Sequence, residues 1–508
     1  MRNISWAVFT TRVVRAGSAP WWLGACLAWL QIGLFARLRA DDAFITYHYG
    51  QNLARGLGPV FNPGERVQGF TSPGHMLLSA AVHVLQGRDA TPAVMSALGC
   101  IGWSAQAVAL FLLLERSLGR WAAASAASLI GLGAAGAASF VPLETHLVSA
   151  CVLFALWAVT RERWSSAALL CGWAVLFRPD ASLAAALVLG TCLVRCRRAA
   201  LGPIALFVGV ALPWSVFAQI YYGHFVPQTA AAKLHRAALE PYLVHVLTHP
   251  SARLLWSDSG AAVAWLVLGV MVCGAVRLWR RGQWQLPLLG VLHAAAYTYL
   301  RPFVAHTWHL YPWTLVFCVS TCVAIAPLST AVGASPPSRV GSVLRWLGAA
   351  GCAGLVLIAA LRLSDEATTL ADSYWHGQRD QVYRRLADYL RAHARAGDGF
   401  ASVEVGTIAY YSDLPAHDLG GLVTTPEMAR SRPLPRYLVL DQLYARLAPP
   451  IAPLLTERVG DFVARIYEVP RVPPSNTMPS GQSRAGLLPS SRSPHDPRAA
   501  HPTSPSGR

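Results

Sequence analysis

The chain has 508 residues, is 54% hydrophobic and only 13% charged, and has a mean hydropathy of +0.39; this excludes an ordinary soluble domain and points to a polytopic membrane protein. The formal net charge of +17 does not imply nucleic-acid binding, because many arginines fall in short loops between apolar segments, as the positive-inside rule distributes them. All ten cysteines lie in or beside apolar segments, and Cys318 and Cys322 are spaced as helix neighbours, so neither a disulfide framework nor a zinc site is expected.

In chain order, a basic stretch with Arg12 and Arg15 leads into an apolar run at 20–38 that lacks a small-residue cleavage pattern, which predicts a retained first span. Further apolar runs fall near 92–114, 121–141, 146–160, 164–177, 181–194, 201–222, 258–279, 285–300, 311–330 and 345–362, for about eleven spans in all. The run at 75–86 is short and carries His75 and His83, so it predicts an interfacial or re-entrant helix. With the N-terminus cytoplasmic, alternate loops carry Arg116 and Arg120, Arg161 and Arg163, Arg195 with Arg197 and Arg198, Arg277 with Arg280 and Arg281, then Arg339 and Arg345. The opposite loops hold Asp41 and Asp42, PLETH at 142–146, FRPD at 177–180, PQTAAAK at 227–233 and RPFVAHTWH at 301–309. Carboxylates and histidines thus collect on one side of the membrane.

Beyond the membrane portion, residues 1–363, the composition turns polar. A helical stretch at 374–396 and β-like runs at 400–405, 437–440 and 462–469 predict a small extracytoplasmic α/β domain over 364–470. Residues 471–508 are Pro, Ser and Arg without apolar periodicity and are expected to be disordered. The expected architecture is mainly α: a polytopic helical bundle with this domain at its C-terminal end.

Asp41 and Asp42 adjoin the first span and precede a polar, glycine-rich loop reaching Ser72. Two adjacent carboxylates at the mouth of a membrane helix either cap it in a hydrated loop or meet a substrate at the water boundary. Glu144 invites the reading of a helix-start acid, and Asp180 after Pro179 that of a first-turn acid. In the C-terminal part, Glu404, Gly406, Tyr410, Tyr411 and Asp413 form a strand-to-turn pattern, read either as ordinary α/β residues or as an acceptor contact facing the membrane domain.

The run DDAFITYHYGQNLARGLGPVFNPGERVQGFTSP at 41–73 resembles the first extracytoplasmic loop of bacterial GT-C glycosyltransferases, in the terminal arabinofuranosyltransferase group. PLET at 142–145, FRPD at 177–180, PQTAAAK at 227–233, RPFVAHTWHLYP at 301–312 and EVGTIAYYSDLPAHDLGGLV at 404–423 follow in order. The resemblance covers roughly residues 20–425 and implies a membrane enzyme that moves a sugar from a polyprenyl phosphate donor to a glycan, lipid or protein acceptor. No cofactor is expected, and no required metal, because a monophosphate donor does not need one for charge neutralisation. A polyprenyl phosphate is a stable leaving group, so such a reaction needs a base for the acceptor hydroxyl and cations for the phosphate. Asp41 or Asp42 is the expected base, and single displacement inverts the anomeric centre.

Lys233, the only lysine in the chain, is expected either to meet the phosphate or to snorkel at a span end. Arg301 is the guanidinium candidate for the same phosphate. His306 and His309 are expected to bind the donor or to sit in an aromatic interfacial belt, and Glu144 to lie near the acidic pair. His48 stands where such sequences commonly carry arginine and Gln68 where glutamate is usual, in the loop that contacts the substrate. The rival reading is a transporter or lipid flippase with the acidic pair as an ion site, but such sites lie near the midplane between repeated, broken helices. Here the carboxylates sit at span ends and no repeat is visible.

Overall fold

The computed structural model describes residues 19–133, 137–234, 260–300, 307–325 and 339–469. Arg301, His306 and the 471–508 tail lie outside these residues.

The apolar runs fold as helices close to their expected places: α1 (Ala19–Phe35), α2 (Asp41–Ala54), α3 (Pro73–Leu118), α4 (Arg120–Gly131), α5 (Thr145–Thr160), α6 (Trp164–Phe177), α7 (Ser182–Cys196) and α8 (Leu201–Tyr222), then α9 (Gln228–Leu234), α10 (Gly260–Arg280), α11 (Gln285–Leu300), α12 (Thr307–Ile325) and α13 (Arg339–Ala371). Two differences are informative. The run at 75–86 is not separate in sequence from the next one; both lie within α3, divided by a kink at Gly87, whose φ of 78° suits a residue without Cβ. The run expected at 121–141 makes only a 12-residue helix and then a 3₁₀ turn at Ala137–Phe140.

Helix direction separates two ends of the bundle. At one end Arg161 lies 3.8 Å from Glu115, next to the loops that follow α3 and α5, and Arg277 donates to the carbonyls of Val323 and Ala324 at the end of α12. At the other end lie the starts of α2 and α5, the end of α6 and the end of α11, joined by side-chain hydrogen bonds such as Tyr47 Oη to the Pro142 carbonyl at 2.5 Å and Tyr297 Oη to Asp180 at 2.8 Å.

The expected boundary at 363/364 falls inside α13, which continues to Ala371. A π turn at Tyr374–Gln378 leads to α14 (Arg379–His393), β1 (Phe400–Ser402), α15 (Gly406–Ser412), β2 (Ala416–Asp418), α16 (Pro426–Ser431), β3 (Tyr437–Asp441), β4 (Leu455–Val459) and β5 (Phe462–Glu468). The sheet order is β2-β1-β3-β5-β4, with β1 parallel to both neighbours and the remaining pairs antiparallel. Strands β2 and β4 were not expected from the pattern: β2 has three residues, and β4, LTERV, is polar with no buried residue.

This domain shares its core with the end of the bundle at which α2 starts. Phe44, Tyr47 and Tyr49 of α2, Phe61 and Phe70 of the following loop and Met76 of α3 belong to one buried cluster with Tyr383, Leu386, Phe400, Ile408, Tyr410 and Phe462. Asn62 donates to the Ala416 carbonyl and accepts from the Ala416 N–H, both at 2.9 Å, and Asp413 pairs with Arg55 and Arg88 at 2.8 and 3.0 Å. Burial of so much aromatic surface makes the domain a fixed cover on this end rather than a tethered appendage.

Candidate active site

Asp41 and Asp42 occupy the first turn of α2, yet their surroundings differ. Asp41 is 6% exposed, and both its oxygens are committed: Oδ1 accepts the Thr407 N–H at 2.8 Å and Oδ2 the Gly406 N–H at 3.2 Å. These N–H groups open α15, so a bundle carboxylate satisfies donors that a helix start leaves free. Asp42 is half-buried, and among the described residues no hydrogen bond or ion pair engages its carboxylate.

A third carboxyl joins them from the C-terminal domain. Asp41, Asp42 and Glu404 each offer an oxygen within 4.8 Å of the other two. Glu404 follows β1, and its Oε2 lies 2.5 Å from Nη2 of Arg379 at the head of α14. Burial pushes the Glu404 carboxyl up to about 8; Arg379 pulls the other way, and Asp41 and Asp42 add to the rise. A narrow crevice beside the trio is lined by Arg39, Ala40, Asp41, Arg379, Asp380 and Thr407, where burial raises Asp380 against the pull of Arg384. A divalent cation at the trio has three hard oxygen donors available in principle. It would compete with two backbone N–H groups for Asp41 and with a guanidinium for Oε2 of Glu404.

The close approach of α15 to α2 requires Gly406. A Cβ there would lie 2.1 Å from the Asp41 carbonyl oxygen and 3.1 Å from its carboxylate. Gly406→Ala is therefore expected to push the two helices apart and to destabilise the protein by about 1–3 kcal/mol, read as a lower melting temperature in detergent. An unchanged melting temperature would show that this contact is not tight.

Glu144 falls in a different polar cluster. It precedes α5, 3.5 Å from Arg178 and 4.0 Å from His75. Arg178 also chelates Asp180 through Nε at 3.1 Å and Nη2 at 2.7 Å. Asp180 thus pairs across elements instead of serving its own first turn, with His293 at 3.7 Å. Through the Tyr297 ring, 5.5 Å from that of His309, His309 borders this second cluster. The cluster ties α5, α6 and α11 together, and Glu144 is not part of the acidic trio.

His48 turns into the packing of its own loop. It is 4% exposed, with its ring against Phe61 at 4.7 Å and Nε2 3.5 Å from the Asn52 amide. Burial lowers its pKa to about 4, so it is neutral at physiological pH, and it does not line the crevice. Gln68 is likewise buried; its carbonyl accepts the Gln228 N–H at 2.9 Å, which docks the start of α9 against the first loop. Lys233 lies five residues further along this helix. Arg379 was not singled out from the sequence, because one arginine among many on a polar helix carries no pattern; Glu404 stood in a recognisable motif.

Residues 372–484 match a family described as a domain of unknown function (DUF8728). A stretch of 220 residues, 38% of this chain, is 30% identical to the terminal β-(1→2)-arabinofuranosyltransferase of Mycobacterium tuberculosis strain H37Rv. The match spans about a third (34%) of that relative's length. Among solved structures, ArnT from Cupriavidus metallidurans bound to undecaprenyl phosphate superimposes with a TM-score of 0.57 over 89% of this chain and 98% of that one, at 14% identity. The apo oligosaccharyltransferase of Archaeoglobus fulgidus does so with a TM-score of 0.55 over 85% and 70%, at 12% identity. The chain has the GT-C glycosyltransferase fold. Within this GT-C fold the acidic trio sits between the start of α2 and the C-terminal domain.

Proposed function

We propose that the protein is an integral membrane glycosyltransferase that moves a sugar from a polyprenyl phosphate carrier to an acceptor hydroxyl at the outer face of the cytoplasmic membrane. The observation that carries this reading is Asp42, the open member of a carboxylate trio covered by the C-terminal domain. Asp42 accepts the proton of the acceptor hydroxyl as its oxygen bonds to the anomeric carbon; the bond from that carbon to the phosphate oxygen breaks, and the polyprenyl phosphate leaves as an anion. One displacement inverts the centre. Lys233 and Arg301 are assigned to the phosphate as cations, and His306 and His309 to the donor. Glu144, in its paired cluster, is assigned a supporting role at the rim. The N-terminus is placed in the cytoplasm and the C-terminal domain outside, in line with the gathering of basic loops at the other end of the bundle.

The rival transport reading places an ion site near the membrane midplane; the Asp41 carboxylate instead accepts the backbone N–H groups of Gly406 and Thr407 from the C-terminal domain. The likeness to an arabinofuranosyltransferase makes a polyprenyl phosphate pentofuranose the first donor to test. Membranes containing the protein are incubated with radiolabelled polyprenyl phosphate pentoses and hexoses, and label is followed into glycan, lipid and protein fractions. Transfer above that of membranes lacking the protein is expected from at least one donor. No transfer from any donor, with the protein present and folded, would overturn the assignment.

A further inference from the structure

The transfer chemistry uses Asp42 for the proton and leaves Glu404 without a task. Its placement is specific. The Glu404 N–H donates to Ser402 Oγ at 3.2 Å, which fixes the backbone after β1, and Arg379 holds Oε2 from one side. The next residues, Gly406 and Thr407, grip Asp41, so the segment 404–407 sets both the position of Glu404 and its distance from the α2 pair. Among the described residues, Oε1 of Glu404 has no partner. An interior ion pair serves the fold equally well facing away from other carboxylates, and bringing a third one within 4.8 Å of two more is electrostatically unfavourable. Ligand hydroxyls offset that cost, because each can donate a hydrogen bond to one carboxylate oxygen.

On the reading of the protein as a glycosyltransferase, we propose that Glu404 is an acceptor-positioning residue that binds the hydroxyl next to the one deprotonated by Asp42, so that the acceptor is a carbohydrate presenting a vicinal diol. Two neighbouring hydroxyls on a sugar ring lie about as far apart as hydrogen-bonded oxygens do, and a pair of this size bridges two carboxylates set this close. A serine side chain or a simple lipid alcohol fills one of the two positions. The inference gives the C-terminal domain, whose residues match a family described as a domain of unknown function, a direct part in acceptor choice.

The test measures transfer by wild type, Glu404→Ala and Glu404→Gln with the active polyprenyl phosphate donor. The acceptors are octyl glycosides of a pentose and a hexose, each paired with a monodeoxy analogue lacking the hydroxyl next to the reacting one. Glu404→Ala is expected to lower kcat/KM for the diol acceptor roughly threefold to tenfold, the worth of an ordinary hydrogen bond, through acceptor KM. It should cause no further loss with the deoxy analogue and leave donor KM unchanged. Glu404→Gln, of the same shape, should recover part of the loss and keeps the test open if the alanine variant does not fold. An equal loss on both acceptors would make Glu404 structural and overturn the inference. Wild-type transfer to peptide or simple alcohol acceptors alone would also overturn it while leaving the transferase reading intact, whereas wild-type inactivity with every donor and acceptor would overturn both.

Discussion

Asp42→Asn is expected to lower transfer by about 10²- to 10⁴-fold, the usual contribution of a positioned general base, without lowering the melting temperature of the detergent-solubilised protein. The carboxylate makes no contact that folding requires, so its amide costs only the proton acceptor. Asp41→Asn should behave in the opposite way. Asp41 accepts two N–H groups, whereas asparagine brings one acceptor oxygen and a donor NH₂. One N–H of Gly406 or Thr407 is then left facing another donor, at a cost of about 1–3 kcal/mol, and the melting temperature falls. Transfer per folded molecule, measured beside thermal unfolding, separates the two cases. Full transfer by the Asp42 variant would remove it as the base; a loss of rate in both variants with unchanged stability would mean that the pair shares that task.

Arg178→Ala should produce the largest loss of stability. The guanidinium is buried between Glu144 and Asp180, and its removal leaves two carboxylates in a poorly hydrated cluster. Breaking a buried pair by deleting one partner costs about 3–5 kcal/mol, because the remaining charge is uncompensated. The expected result is reduced accumulation in membranes and earlier unfolding on heating. Arg178→Lys should recover only part of the loss, since an ammonium does not reproduce the two-pronged contact with Asp180. If the alanine variant is as stable as wild type while transfer is lost, the cluster serves substrate binding, and Glu144 returns to the site.

Much of the helical architecture was legible because the signal is local. An apolar run long enough to bury its own backbone groups in lipid must form a helix, and α6, α8 and α11 lie where their runs predicted. The run at 121–141 ended early at Gly131, just before Gly133, whose φ of 95° lies outside the helical region, because glycine is a poor helix former. The strands β2 and β4 escaped detection because three residues carry no period and LTERV carries no apolar one. His48 and Glu144 were assigned by their place in motifs, and a motif does not say which way a side chain turns: His48 turned into the Phe61 packing and Glu144 toward Arg178.

The amino-acid sequence by itself determined the class of the protein, the positions of its apolar helices, the gathering of basic residues into alternate loops and the acidic pair as the place to look for chemistry. These depend on neighbours in the chain and on the bilayer as solvent, both of which act residue by residue. Only the tertiary structure decided which of two adjacent aspartates is closed and which is open, because the N–H groups that close Asp41 belong to residues 365 and 366 positions away. It likewise brought Glu404 to the same place, since a distance between carboxylates from different domains is set by the packing of an aromatic core that no local pattern encodes.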